Sequence, residues 1–527
     1  MLEQPPAIAQ MAPAESILSA HADRRRLQTS PALQLAQKAQ LGQYMTSAPI
    51  AEFMASLFSP LGPREIRLLD PGAGVGSLTA AFVQRACREP VRPQRIVVTA
   101  FEVDPLLQTP LRATLNDCAD AARAAGVPFS ATVIPLDFIE HASQALEGGL
   151  FSQPISFTHV ITNPPYKKIS SQSIHRRLLS NLGVEVTNLY AAFVALSIML
   201  LEPNGELAAI TPRSFCNGPY FLPFRRLLLS EMGLRRIHTF DARDIAFKDD
   251  GVLQENIIYW ATKSQQPATV ELSSSHGIDL QPDAIRSISF AEIVDAQDAN
   301  LVIQIPTTQE DTAIARQMRS LGSSLADLGI SVSTGPVVEF RLKPYIHRTA
   351  VLGTVPLIYP AHFQRGYVSW PRPNGKKPNA LEDKPATRKW LMPQGCYTLT
   401  RRFSSKEERR RIYAAVYDPA RVDTEHVGFE NHLNVFHENG RGLPPLLARG
   451  LCLYLNSTVI DRYFRLFNGH TQVNASDLRA LPYPSRATLI ALGEQASEDA
   501  LPPQETIDQW VDAVVFSELT GANMSPA

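Results

Sequence analysis

Asn163-Pro164-Pro165-Tyr166 closes an apolar run, "FTHVIT" (157–162), and is followed at once by two lysines. Consecutive prolines remove two backbone donors and fix two φ angles, so neither a helix nor a strand continues through them. Asn163 precedes a proline and is pushed out of the helical region. The result is one amide and one aromatic ring held stiffly at a strand end. Asn-Pro pairs also make ordinary turns; this one stands apart because it comes after three strand ends that carry cofactor chemistry.

The first of those ends is "LLDPGAGVGSLTAAF" (68–82): Asp70 at the end of a strand, a turn with Gly72, Gly74 and Gly76, then a helix. Glycines at this spacing let backbone approach a ligand, and the helix start offers free N–H groups. The loop alone fits a nucleotide fold and an AdoMet fold equally. The second end is Glu102 in "VVTAFEVDP", where a ribose-hydroxyl acceptor belongs. The third is Asp137-Phe138 in "VIPLDFIEH", a carboxylate for an adenine amine and a ring for its face. Each acidic residue could instead cap the helix that follows it. Polar groups in this order at every strand end point to a nucleoside-bearing cofactor. Upstream, "LGQYMTSAPIAEFMASLF" (41–58) enters an amphipathic helix, with Thr46 or Ser47 as its cap and Pro49 in its first turn.

These groups need a scaffold. Strands are expected at 65–70, 95–102, 130–137, 157–162 and 205–212, and 254–263 reads as the closing strand. Amphipathic stretches such as "LTAAFVQRACRE" and "LYAAFVALSIMLLE" lie between them. The alternation predicts an α/β, Rossmann-like, doubly wound and mostly parallel sheet with helices on both faces. The expected organisation is a leader over 1–40, which ends in a helical stretch, and a cofactor domain over 41–265. A linker over 266–300, an α+β domain over 301–485, and a peripheral helix and tail over 486–527 follow.

A hydrophobic content of 44% and a mean hydropathy of -0.09 describe a globular chain with a sizeable core. No apolar run reaches the ~18 residues of a membrane span. Five dispersed cysteines without a CxxC argue against a disulfide framework and a zinc site, and fit a reducing cytoplasm. With a net charge of -1, any nucleic-acid surface must be a local patch.

"NPPY" downstream of "DPGAGVGS", with "LGQYMTS" ahead of both, resembles the AdoMet-dependent DNA adenine-N6 methyltransferases of the gamma group. "SVSTGPVVEFR" (331–341), "RRFSSKEERRRI" (401–412), "FENHLNVFH" (429–437) and 454–485 look like modification methyltransferases of the PstI/BsuBI type. The resemblance implies S-adenosyl-L-methionine as cofactor, no metal, and contacts to it from Tyr44 and Thr46 as well as the residues above. It implies that the Asn163 side-chain oxygen and the Pro164 carbonyl accept the two hydrogens of an adenine amine. Such a base must first leave the duplex. Tyr166 then offers a ring, with Phe221 opposite by its distance from Pro212; Tyr220 and Phe215 are its neighbours and rivals. Where the family usually has Thr-Pro, this chain has Thr46-Ser47.

Specificity must come from the second half. Arg401, Arg402 and Arg409 suit phosphates and guanine edges, although Glu407 and Glu408 interrupt them. His470, Gln472 and Asn474 lie in an amide-rich stretch suited to adenine edges, which reads equally as a polar loop leading into a capped helix. The expected partner is double-stranded DNA, at a palindrome of the CTGCAG kind by resemblance. The enzyme is expected as a monomer, beside a separately encoded restriction endonuclease. Methylation of RNA or of a protein glutamine, and a catalytically silent AdoMet-fold DNA-binding protein, are the alternatives.

Overall fold

The computed structural model describes residues 17–32, 44–148, 155–240, 255–275, 280, 284–422, 424–497 and 499–517. Most of the expected leader, the first three residues of "LGQYMTS" and the end of the expected tail lie outside the described residues. Contacts divide the chain into two units, Met1–Phe215 with Tyr220–Leu301, and Cys216–Pro219 with Val302–Ala527.

The first unit is built on nine strands: β1 (Glu65–Pro71), β2 (Arg95–Phe101), β3 (Phe129–Ile134), β4 (Phe157–Thr162), β5 (Leu201–Pro212), β6 (Gly233–Phe240), β7 (Asn256–Thr262), β8 (Thr269–Ser275) and β9 (Ile285–Ser289). Their order is β3-β2-β1-β4-β5-β7-β6-β8-β9. The first five are parallel, and β7 joins β5 antiparallel. Its helices of eight or more residues are α1 (Ile17–Thr29), α2 (Ala48–Ser56), α3 (Ser77–Arg88), α4 (Pro105–Ala124), α5 (Phe138–Glu147), α6 (Ile174–Asn181), α7 (Leu189–Leu200) and α8 (Leu222–Glu231). Strand order reverses between β1 and β4, and right-handed crossovers then put α3 and α4 on one face and α5 to α7 on the other. The packing agrees: α1 to α4 contact one another, and α5 to α8 form a second group.

Why these segments form these elements is visible in their burial. All six residues of β4 are buried, as a central parallel strand requires. α7 is apolar on every side and buried from Tyr190 to Ile198. Ser47 is the first residue before α2, and Pro49 lies in its first turn.

Three expectations are corrected here. Residues 17–29, expected within the leader and ahead of its helical stretch, are a helix packed on the domain: Leu18 and Ala22 are buried, and the Leu18 and Ser19 N–H groups donate to Gln84 Oε1 on α3. The strand at 256–262 does not close the sheet, because β6, absent from the expected strands, pairs along its far side. Residues 266–300 are no linker, since β8 pairs β6 and β9 pairs β8. Of β8 and β9, only Val270, Leu272 and a few neighbours are buried, so the polar residues between them masked the strand pattern.

The second unit holds a six-stranded and a five-stranded sheet with helices packed on them. The helix Arg486–Glu494, expected as peripheral, belongs to its core, with Leu489 and Leu492 fully buried. Gly450 on the helix Pro445–Leu455 and Gly493 make this possible. A Cβ at either would collide with the backbone of the other helix, so two glycines set the closeness of the pair. Among the described residues no helix is long and apolar enough to cross a membrane.

Candidate active site

The glycine loop and the Asn-Pro-Pro-Tyr loop meet because β1 and β4 are neighbours. Leu69 pairs with Val160, and two residues on, the Thr162 hydroxyl donates to the Pro71 carbonyl at 3.1 Å. Gly72 and Asn163 therefore leave the sheet side by side. Gly72, Gly74 and Gly76 have φ of 79°, 59° and 85°, a region costly for residues with a Cβ. A Cβ on Gly76 would also lie 2.9 Å from Leu111 Cδ1, so this glycine lets α3 approach α4.

Around them lies a cavity of about 350 Å³, within the usual range for a small-ligand site. Tyr44, Thr46, Gly72, Gly74, Glu102, Asp137, Phe138, Asn163 and Pro165 all line it. Asp70 and Gly76, expected at the cofactor, do not. Asp70 is fully buried behind the loop, and its Oδ2 accepts the Thr79 hydroxyl at 2.6 Å. Burial pushes its carboxyl up to about 7 against the opposing pull of Thr79. Its role is to tie β1 to α3.

Glu102 spans two backbones. Oε2 accepts the Gly74 N–H and Oε1 the Asp104 N–H, both at 2.8 Å. Burial raises its carboxyl to about 7 although those two bonds oppose the shift. Each oxygen keeps a further acceptor position for a ligand hydroxyl. Asp137 both caps and lines: Oδ1 accepts the Glu140 N–H at 3.0 Å to start α5, while its side chain faces the cavity. Phe138 packs its ring against Phe101 and Phe193, at 5.1 and 5.0 Å between centroids.

Asn163 is held by its amide nitrogen. Nδ2 donates to the Tyr44 carbonyl at 2.7 Å and to Thr46 Oγ1 at 3.1 Å. Both amide hydrogens are thereby used by the segment leading into α2. Oδ1 is left with no partner among the described residues. Thr46, expected as a cofactor contact, thus holds the Asn-Pro-Pro-Tyr loop, and its hydroxyl can accept from Asn163 while donating elsewhere.

Pro164 and Tyr166 do not line this cavity. The Tyr166 hydroxyl donates to the Ile210 carbonyl at 3.2 Å, and its half-buried ring lies 5.7 Å from Tyr44 and 6.2 Å from Tyr190. Phe221 does not stand open opposite it. It is buried and stacks on Tyr190 at 5.7 Å, because the apolar α7 presents that ring to it. Its neighbour Tyr220 is 74% exposed, and Phe215 is buried.

Several lining residues were not anticipated. Phe193 comes from the middle of α7, where an all-apolar helix gives no signal. Lys167, Lys168, Ser170 and His175 come from the segment after Tyr166; only the two lysines were conspicuous beforehand.

In the second unit the expected DNA contacts separate. The Arg401 guanidinium stacks 4.6 Å above the Tyr413 ring, and its buried Nε has no partner among the described residues. Arg401 and Arg409, with Arg365 and Arg410, line a cavity of about 470 Å³. Arg402 donates to the Asn431 carbonyl at 3.3 Å. His470 and Gln472 are half-buried; the Gln472 backbone bridges to Phe403. Asn474 stands at a helix N-cap position. Its backbone N–H and Nδ2 donate to Asp477 Oδ2 at 2.9 and 3.3 Å, at the start of the helix Ala475–Arg479.

Comparison with known proteins follows the same lines. The Eco57I restriction-modification methylase family matches residues 135–247, which span the catalytic loop. The chain is 46% identical over 461 residues to the type II methyltransferase M.PstI of Providencia stuartii, covering 87% of this chain and 90% of that protein. It is 45% identical over 482 residues to M.BsuBI of Bacillus subtilis, covering 90% and 94%. Among solved structures, the type IIL restriction-modification enzyme MmeI in complex with DNA matches with a TM-score of 0.51 at 13% identity. That match covers 93% of this chain and 75% of MmeI, and bears on the fold alone.

Proposed function

Since the chain belongs to the type II DNA methyltransferases that include M.PstI and M.BsuBI, we propose that it methylates N6 of an adenine flipped out of a short duplex site, as the modification partner of a separately encoded restriction endonuclease. The observation that carries the adenine reading is the orientation of Asn163. With Nδ2 engaged by Tyr44 and Thr46, the amide presents an acceptor, as a primary amine needs. An exocyclic amine is a poor nucleophile because its lone pair is delocalised into the ring. Asn163 Oδ1 and the Pro164 carbonyl accept its two hydrogens, draw the nitrogen toward tetrahedral geometry and aim its lone pair. Catalysis is then positioning and electrostatics, held by two prolines that do not relax.

The residues present fit S-adenosyl-L-methionine: Glu102 for the ribose hydroxyls, Asp137 and Phe138 for the adenine, and the Gly72–Gly74 backbone beside them. When bound, that cofactor supplies a methyl group on a sulfonium and departs as the neutral thioether. The amine's surplus proton passes to water. Tyr166 carries one face of the target base, and Phe221 the other once its ring turns from Tyr190. Arg401, Arg402 and Arg409 hold phosphates, with Gln472 and His470 nearer the base edges.

The test is single-molecule sequencing of genomic DNA from a methylation-free host that expresses the protein or its Asn163→Ala variant. N6-methyladenine in one short motif, absent with the variant, is the expected result. Soluble protein that binds the cofactor and leaves no methylated adenine would sink the reading and turn attention to other amines.

A further inference from the structure

α6 follows the catalytic loop and returns to the cofactor pocket. Ser173 caps it, its Oγ accepting the Arg176 N–H at 3.3 Å, which sets His175 in the first turn. From there the imidazole Nε2 lies 3.2 Å from Asp137 Oδ2 and 3.9 Å from Glu140 Oε1. Asp137 Oδ1 is already engaged by the Glu140 N–H. His175 and Asp137 both line the cavity. A carboxylate with one oxygen bonded can still rotate about that bond; with both bonded it is fixed in plane.

We propose that His175 is a positioning residue of the cofactor site: through Oδ2 it fixes the Asp137 carboxylate in the plane in which it accepts the 6-amino group of the cofactor's adenine, and it fastens the 167–175 segment against that end of the pocket. This rests on the reading of Asp137 as the acceptor of that amine. Oδ2 has two acceptor positions, so the imidazole and the amine share it without displacement. The segment so fastened begins at the catalytic tyrosine, which couples cofactor binding to the order of the methyl-transfer loop.

The charged groups acting on the imidazole are Asp137, Glu140 and, in the opposite sense, Lys167. The bond to Asp137 raises the His175 pKa against the effect of burial. Burial alone would raise the Asp137 carboxyl; the bonds to His175 and to the Glu140 N–H together hold it below the usual range. The pair is therefore ionic below the imidazole's raised pKa and loses its charge as pH rises through it. The preference for a 6-amino over a 6-oxo nucleoside is expected to weaken over that rise.

The test is calorimetric titration of the full chain, in EDTA, with S-adenosylhomocysteine and its 6-oxo analogue S-inosylhomocysteine at pH 6 and 8.5. His175→Ala should weaken S-adenosylhomocysteine about tenfold, the scale of one charge-assisted bond, and leave the 6-oxo analogue nearly unchanged. His175→Gln keeps a donor, should recover part of the loss, and should abolish the pH dependence of the preference for S-adenosylhomocysteine over its 6-oxo analogue, since Glu102 at the ribose acts on both ligands alike. In turnover the KM for the methyl donor rises while kcat holds. Equal loss of both ligands in His175→Ala, or loss of neither, overturns the proposal. Asp137→Asn keeps the helix cap and should narrow the preference for the amino nucleoside. If it does not, the reading of Asp137 falls and the proposal with it; if it does and His175→Ala has no selective effect, only the His175 proposal falls.

Discussion

At the scale of single residues, the proposed chemistry depends on which way one amide lies. Asn163 offers its oxygen because Thr46 and the Tyr44 carbonyl occupy its nitrogen. Thr46→Val keeps the shape and removes one acceptor, so the amide gains freedom to turn. Single-turnover methylation should slow about tenfold, the scale of one hydrogen bond with its buried partner left unpaired, with cofactor affinity within threefold. Thr46→Ser should behave as wild type. A rise in cofactor Kd at an unchanged rate would place Thr46 with the cofactor alone. Asp70 carries a pH prediction. Its folded pKa of about 7 exceeds the unfolded value, so between about pH 4 and 7 the folded chain holds a proton that the unfolded chain has lost. Stability from this group is therefore lost as pH rises through that window, by roughly 2 to 4 kcal/mol; Glu102 adds in the same sense. Asp70→Asn should flatten the fall in Tm between pH 5 and 8.

At the scale of elements, burial decides what can be read. β1, β2 and β4 carry apolar runs ending in polar groups, and their strand ends are legible because central parallel strands are covered on both faces; β3 is the half-exposed edge strand, read from its β-branched residues. β8 and β9 were hidden because Val270, Leu272 and Ile288 alternate with serines and charges, a pattern that a flexible polar segment shares. The stretch 468–484 shows the same ambiguity in the second unit, since amides that suit base edges also cap helices. Asn474 belongs to the cap of Ala475–Arg479. Gln472, just before it, has no side-chain partner among the described residues and stays a candidate for base reading. Asn474→Ala should lower stability by about 1 kcal/mol and leave DNA affinity nearly unchanged. Gln472→Ala should leave Tm alone and relax site selection in a competition binding assay.

At the scale of the whole molecule, a net charge of -1 leaves DNA binding to a local surface, and the second unit supplies one candidate in the arginines around Tyr413. The sequence by itself determined the mostly parallel α/β sheet, the strand ends that carry Glu102 and Asp137, and the stiff loop at Asn163. Each of these is written in a window of a few residues, as an apolar run, a glycine turn or a proline pair. Only the tertiary structure decided what meets what. Residues 46 and 163 share a hydrogen bond, 137 and 175 an ion pair, and 450 and 493 a helix contact. It also withdrew Asp70 from the pocket and turned Phe221 onto Tyr190. The reason is physical: local chain geometry depends on neighbours in sequence, whereas the partner of a buried polar group or ring is set by strand order and helix packing between segments far apart in the chain.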